Sequence, residues 1–105
     1  MKLNGDGKMG KGVKYDDGKL MYSLIPPEAL EEVVKVLTFG AATYGPENWK
    51  QVDNAKVRYM DASMRHGEAV RKGELYDSES NHHHLAHRIC CDLFRLQLML
   101  DGTCI

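Results

Sequence analysis

Apolar residues recur at intervals of three and four in three stretches of this 105-residue chain, and each stretch predicts an amphipathic helix. The first opens at Pro27, which suits a first helical turn, and carries Glu28, Glu31 and Glu32 where the helix dipole favours negative charge. Its expected core stripe is Leu30, Val33, Val34, Leu37 and Ala41, and Tyr44-Gly45-Pro46 ends it. A second helix is expected from about Asn54 to Lys72, capped by Asp53 or Asn54. Val57, Met60 and Met64 form its apolar stripe. Arg58, Asp61, Arg65, Glu68 and Lys72 form a charged face with favourable pairings, and Tyr59, Ala62 and His66 lie between the two. The third helix is expected to start near Ser80 or Asn81 and run to Asp101, with Gly102 as its stop. Leu85, Ile89, Leu93, Leu96 and Leu100 make its expected core stripe, and His84, His87, Cys91, Phe94 and Leu98 a neighbouring one.

The segments outside these helices read as irregular. Residues 1–19 hold five Gly and five Lys and predict a mobile arm, of which 1–13 is a flexible tail. Leu20–Ile25 is short, apolar and expected to be extended, because each residue before a proline avoids the helical region. Residues 46–53 form a loop with the chain's single Trp, and 73–81 a polar, acidic connection. The expected fold is all-α: one domain over residues 14–102, a small bundle of three main helices with an irregular N-terminal arm. Three helices of this length make a thin bundle, so completion by homo-oligomerisation, as a dimer or larger, is expected.

Charge narrows the function. Lys plus Arg is 14 and Asp plus Glu is 15, a formal net charge of −1, which lacks the broad basic footprint of a binder of polymeric nucleic acid. No apolar run approaches the roughly 20 residues of a membrane span. The Gly- and Lys-rich start is unlike a signal peptide, so a cytoplasmic location is expected. Three cysteines, with Cys90 and Cys91 adjacent on a helix, give neither a disulfide framework nor a zinc spacing, and read as small core hydrophobes.

Candidate chemistry lies in three groups. Glu28, Glu31 and Glu32 share helix faces at spacings that suit a hard cation, although an acidic first turn needs no further reason. Glu31 borders the apolar stripe and is the more interesting. Glu74 and Asp77, followed by Glu79, precede His84 and His87, which sit one turn apart on one face. That set reads equally as a divalent-metal site or as a hydrogen-bonded cap. His82 and His83 fall on other faces. Lys14, Lys19 and Arg65 can meet phosphates and Tyr44 or Trp49 can stack on a base, against plain roles in solubility and packing. Arg88, Asp92 and Arg95 look like a solvated ion-pair ladder.

Taken in order, KYDDGK, LIPPEALE, TFGAATYGPENW, the Arg65-His66 pair and GELYDSESNHHHLAH form a connected series of motifs over about residues 13–102. The series resembles the phage and prophage dATP/dGTP diphosphohydrolases, which are related to MazG-like nucleotide pyrophosphohydrolases. Asn81 stands where that family often has glycine, and Lys35 where relatives often carry a second acidic residue one turn after Glu31. Glu28-x-x-Glu31 and Glu74-x-x-Asp77 fit the two acidic formulas of MazG-type magnesium sites.

The resemblance implies hydrolysis of purine deoxynucleoside triphosphates to monophosphate and pyrophosphate, with Mg²⁺ or Mn²⁺ as cofactor. It implies that Glu31, Glu74 and Asp77 bind metal, Glu79 orients water, and His84 and His87 act as ligands or phosphate contacts beside His66. Lys14, Lys19 and Arg65 would hold phosphate, and Tyr44, Asn48 and Trp49 the nucleoside. It also implies a site at a subunit interface and a setting in the cytoplasm of an infected or lysogenic bacterium. Two other readings fit the same residues: a phage protein that sequesters a signalling nucleotide of host defence without cleaving it, and a bundle with structural zinc.

Overall fold

Pro26 is extended, as the residue before a proline must be, and Pro27 opens the first helix, α1 (Pro27–Tyr44), in the computed structural model, which describes residues 12–102. The expected tail over residues 1–13 therefore lies almost wholly outside the described residues. Gly45, at φ 95°, ends α1 and donates its amide to Ala41 at 2.9 Å. Helix α2 covers Ala55–Arg71. Asn54 caps it with a left-handed backbone and makes no side-chain capping bond, so the expected side-chain cap is absent. Helix α3 covers His84–Leu100.

Three expectations about the connections need correction. Tyr22–Leu24 is a 3₁₀ turn rather than an extended strand, closed by Leu24 N–H to Met21 at 3.1 Å and Ile25 N–H to Tyr22 at 3.1 Å. A second 3₁₀ turn, Asn48–Gln51, fills the loop before α2. Helix α3 begins three to four residues later than the expected start near Ser80 or Asn81. Asn81, at φ 63°, breaks the helical run, and Tyr76 pairs with His83 in an isolated antiparallel bridge. His83 instead caps α3, its Nδ1 accepting the Leu85 amide at 3.0 Å.

Helix α3 is the central element, packed along α2 on one side and against α1 on another. The α1–α3 core is small: Val33, Val36, Ala86 and Cys90, with Leu37 against them. The Cys90 thiol donates to the Val33 carbonyl at 3.4 Å. Burial pushes the Cys90 thiol up to about 12 and the Cys91 thiol to about 11, which keeps both protonated as core groups. Against α2, the buried Ser63 and the bare Gly67 permit close approach, and the Arg88 guanidinium lies across Gly67. Of the expected charge ladder, Asp92 pairs with Arg95 at 3.0 Å while Arg88 is spent on this contact.

The expected core stripes are only partly inside. Leu30, Val34, Val57, Met60 and Met64 are exposed, as are Leu85, Ile89, Leu93, Leu96 and Leu100. The neighbouring α3 stripe, with His84 and Leu98 buried, faces inward instead. Its histidines can turn inward because hydrogen bonds satisfy them there, which removes most of the cost of burying a polar ring.

Candidate active site

The end of α2 sets the first carboxylate. Gly73, at φ 97°, donates to Val70 at 2.9 Å, and Glu74 N–H reaches back to Ala69 at 2.8 Å. This pair of bonds is a Schellman ending, and it turns Glu74 back toward α3. The connection that follows is folded by Asp77, whose Oδ2 accepts both the Ser80 amide at 3.1 Å and the Ser80 hydroxyl at 2.9 Å. Asp77 N–H bonds His82 at 2.9 Å and His84 N–H bonds Leu75 at 2.8 Å, which delivers His84 and His87 to the first turn of α3.

His66, from α2, completes the cluster. Its Nδ1 lies 2.8 Å from His84 Nδ1, and its ring stacks on His87 with centroids 4.6 Å apart at 11°. His84 Nε2 lies 2.7 Å from Glu74 Oε2. A carboxylate only accepts, so His84 donates from Nε2; in its neutral form it then accepts at Nδ1 from His66. This leaves Nε2 of His66 with a lone pair at the end of a Glu74–His84–His66 chain.

A second chain runs beside the first. Ser80 gives its proton to Asp77 and accepts the His82 amide at 3.2 Å, so at 2.6 Å it accepts from His87 Nε2. Asp77 Oδ2 lies 3.7 Å from the same nitrogen. Burial, reinforced by His87 and His84, lowers His66 from 6.5 to about 4, and burial lowers His87 too, against the pull of Asp77. Burial raises the Asp77 carboxyl, but the two Ser80 hydrogen bonds and the nearby histidines outweigh it, for a net lowering. At neutral pH the Asp77 carboxylate therefore sits beside neutral His66 and His87 rings.

Beside Glu74, an open cleft of about 480 Å³ is lined by Asp61, Met64, Arg65, Glu68, Ala69, Lys72 and Glu74. It joins two cations to three carboxylates along one flank of α2. Of the sequence candidates, Glu74, Asp77, His66, His84 and His87 come together, and Arg65 lines the adjoining cleft. Glu31 is exposed on α1 and Glu79 exposed in the turn, and neither joins the cluster's hydrogen bonds. Lys14 and Lys19 are exposed in the arm, as are Tyr44 and Asn48 near the end of α1. Trp49 stacks on Phe94 with centroids 4.6 Å apart at 9°, and its carbonyl accepts from the Tyr59 hydroxyl at 3.2 Å, so one ring face is used in packing.

Ser80 and Lys72 are the residues to which sequence reasoning gave structural roles but no part in the site. The Asp77-x-x-Ser80 spacing, a common side-chain-to-backbone turn, was the available signal for Ser80. Among the described residues no three His, Cys, Asp or Glu side chains are arranged to hold a metal ion. Both nitrogens of His84, Nδ1 of His66 and Nε2 of His87 are already engaged by one another, Glu74 and Ser80.

The fold and site define an all-α domain with a carboxylate–histidine network beside a charged cleft. Residues 9–105 match the family described as dATP/dGTP diphosphohydrolase, N-terminal, and the chain belongs to that family. It is 42% identical over 77 residues, 72% of its length, to a protein of Salmonella phage PMBT28 named dATP/dGTP diphosphohydrolase. The chain spans about a quarter of that relative's length, 26%. No solved structure matches it. Among the described residues no helix is long and apolar enough to cross a membrane.

Proposed function

We propose that this chain acts in the hydrolysis of purine deoxynucleoside triphosphates, dATP or dGTP, to monophosphate and pyrophosphate, in the cytoplasm of an infected or lysogenic bacterium. The observation that carries the reading is the position of Glu74. Its carboxylate both lines the cleft that holds Arg65 and Lys72 and anchors the chain through His84 to His66. Family membership and the printed name of the Salmonella phage relative support the same chemistry.

In this reading Arg65 and Lys72 bind phosphate oxygens, with Lys14 and Lys19 of the arm as further contacts. The exposed Tyr44 and Asn48 are proposed for the nucleoside; Trp49 already meets Phe94 and has Lys50 Nζ over its ring, 5.6 Å from the centroid, so a base joins it only beside those contacts. His66 accepts a proton at Nε2 from the attacking water while Glu74, through His84, holds its tautomer. Asp77 and Ser80 hold His87, which keeps His66 in place by stacking.

A cage of protein ligands alone does not fit this donor set. A divalent ion carried by the triphosphate needs only one or two carboxylates, and Glu74 in the cleft fits that need, with Asp77 and Glu31 as further carboxylates of the MazG-type formulas and Glu79 outside them. When bound, Mg²⁺ or Mn²⁺ supplies charge neutralisation at the phosphates.

The test is product analysis. Incubation with each of the four deoxynucleoside triphosphates and Mg²⁺ or Mn²⁺ is expected to release pyrophosphate from dATP or dGTP. Tight binding in EDTA with the nucleotide recovered intact would replace hydrolysis by sequestration.

A further inference from the structure

Glu32, Lys35 and Phe39 recur at three- and four-residue intervals, so they share one flank of α1, beside the face that carries Val33 and Val36 into the core. Lys35 Nζ donates to Glu32 Oε2 at 2.9 Å, and both side chains are nearly half exposed. An exposed pair of this kind adds little to stability. Its neighbours are more telling. The Lys35 hydrogen bond holds the Glu32 carboxyl below the usual carboxylate range, and His82 and His83 act in the same direction, so both rings stand near the carboxylate. Phe39, 39% exposed, makes a T-shaped contact with His82, the centroids 5.5 Å apart at 75°.

His82 also connects this flank to the histidine cluster. Its ring centroid lies 6.3 Å from that of His87, which stacks on His66 at 4.6 Å. Four rings thus lead from Phe39 on α1 through His82 and His87 to His66 on α2, whose neighbour Arg65 lines the cleft. A nucleotide laid along this row sets its phosphates at the α2 end, where Arg65 and Lys72 stand, and its base at the α1 end.

The chemistry of the α1 end matches one purine. Along its pairing edge guanine presents the O6 acceptor, then the N1–H and N2–H donors. Lys35 beside Glu32 presents a donor, then a carboxylate with two acceptor oxygens. Adenine inverts the pattern, with an amino donor at C6 and an acceptor at N1, so it sets donor against ammonium and lone pair against carboxylate. A polar site rejects the wrong partner because its own groups are then left unpaired. The Phe39 and His82 rings give the base a surface to pack on.

We propose that Glu32 and Lys35 read the base edge of the nucleotide and select guanine over adenine, with Phe39 and His82 as the packing surface. The proposal rests on the nucleotide-hydrolysis reading above and narrows its substrate to dGTP ahead of dATP, with Tyr44 and Asn48 left for the sugar.

Steady-state pyrophosphate release is expected to give kcat/KM at least about tenfold higher for dGTP than for dATP. Deoxyinosine triphosphate, which keeps O6 and N1–H but lacks the N2 amino group, should fall between them. Glu32→Ala should raise KM for dGTP with kcat retained and bring the dGTP to dATP ratio toward one, with helical circular dichroism unchanged. Phe39→Leu should raise KM for both nucleotides alike. Equal kcat/KM for dGTP and dATP, a preference for dATP, or a dGTP preference that survives Glu32→Ala overturns the proposal. If no nucleotide is hydrolysed, the hydrolysis reading fails, and selectivity is read from calorimetric binding of dGTP and dATP. Tighter dGTP binding that Glu32→Ala abolishes upholds the base reading; equal binding, or none, overturns it.

Discussion

The Nδ1 atoms of His66 on α2 and His84 on α3 lie 2.8 Å apart, so one ring must donate to the other across the helix–helix interface. Because Glu74 takes the far proton of His84, the donor is His66, and three residues from three segments share one tautomeric arrangement. The pair is structural as well as chemical, since His84 is only 5% exposed and an unpartnered ring nitrogen there is costly.

Replacing His66 by Ala should therefore destabilise the fold by about 1–3 kcal/mol, the cost of leaving a buried polar group without its partner. Urea unfolding measures it, and His66→Gln, which retains an N–H donor, should recover part of the loss.

Acid should weaken the fold through the same ring. His66 binds its proton at about 4 in the folded chain, below its ordinary 6.5, so between these values the unfolded chain binds more protons. Its stabilising contribution is complete above pH 6.5 and is lost as pH falls toward 4. The lowered His87 acts in the same direction, while Asp77 adds its loss only below 3.8. Urea midpoints from pH 7.5 to 4.5 should fall, and His66→Gln should flatten that slope.

Ser80 holds three partners with one hydroxyl: Asp77, His87 and the His82 amide. Ser80→Ala should cost about 1–3 kcal/mol and release the His87 ring. Histidine side-chain NMR signals should show His87 losing its single fixed tautomer while His84 retains its own.

Gly73 takes φ 97° in the turn that aims Glu74. A side chain there is strained, and Gly73→Ala should lower stability by about 1–2 kcal/mol. Thermal unfolding reads this directly, and turnover should fall further than stability because Glu74 moves with the turn.

The three helices were legible because apolar periodicity over four or five turns outweighs local ambiguity. The start of α3 was not: Ser80 and Asn81 are residue types that open helices, but here Ser80 is held in the Asp77 turn and Asn81 is left-handed, so the helix waits for His84. The choice of inward face was also hidden. Leu85, Ile89 and Leu93 look like core, yet the histidine stripe faces α2, because hydrogen bonds that no spacing rule records make burial affordable for it. His66 illustrates the same limit. Sequence placed it between faces, and only the packing of α2 on α3 brought it to His84.

Glu74 is where the account is most exposed to test, since it joins the cleft to the histidines. Pyrophosphate release from dGTP or dATP should be measured for the unaltered chain and for Glu74→Gln, which keeps the shape and an acceptor for His84 but removes the charge. The account predicts release by the unaltered chain and a loss of roughly 100-fold or more in Glu74→Gln, with unfolding little changed. No release from either nucleotide, or equal rates for the two proteins, would contradict it.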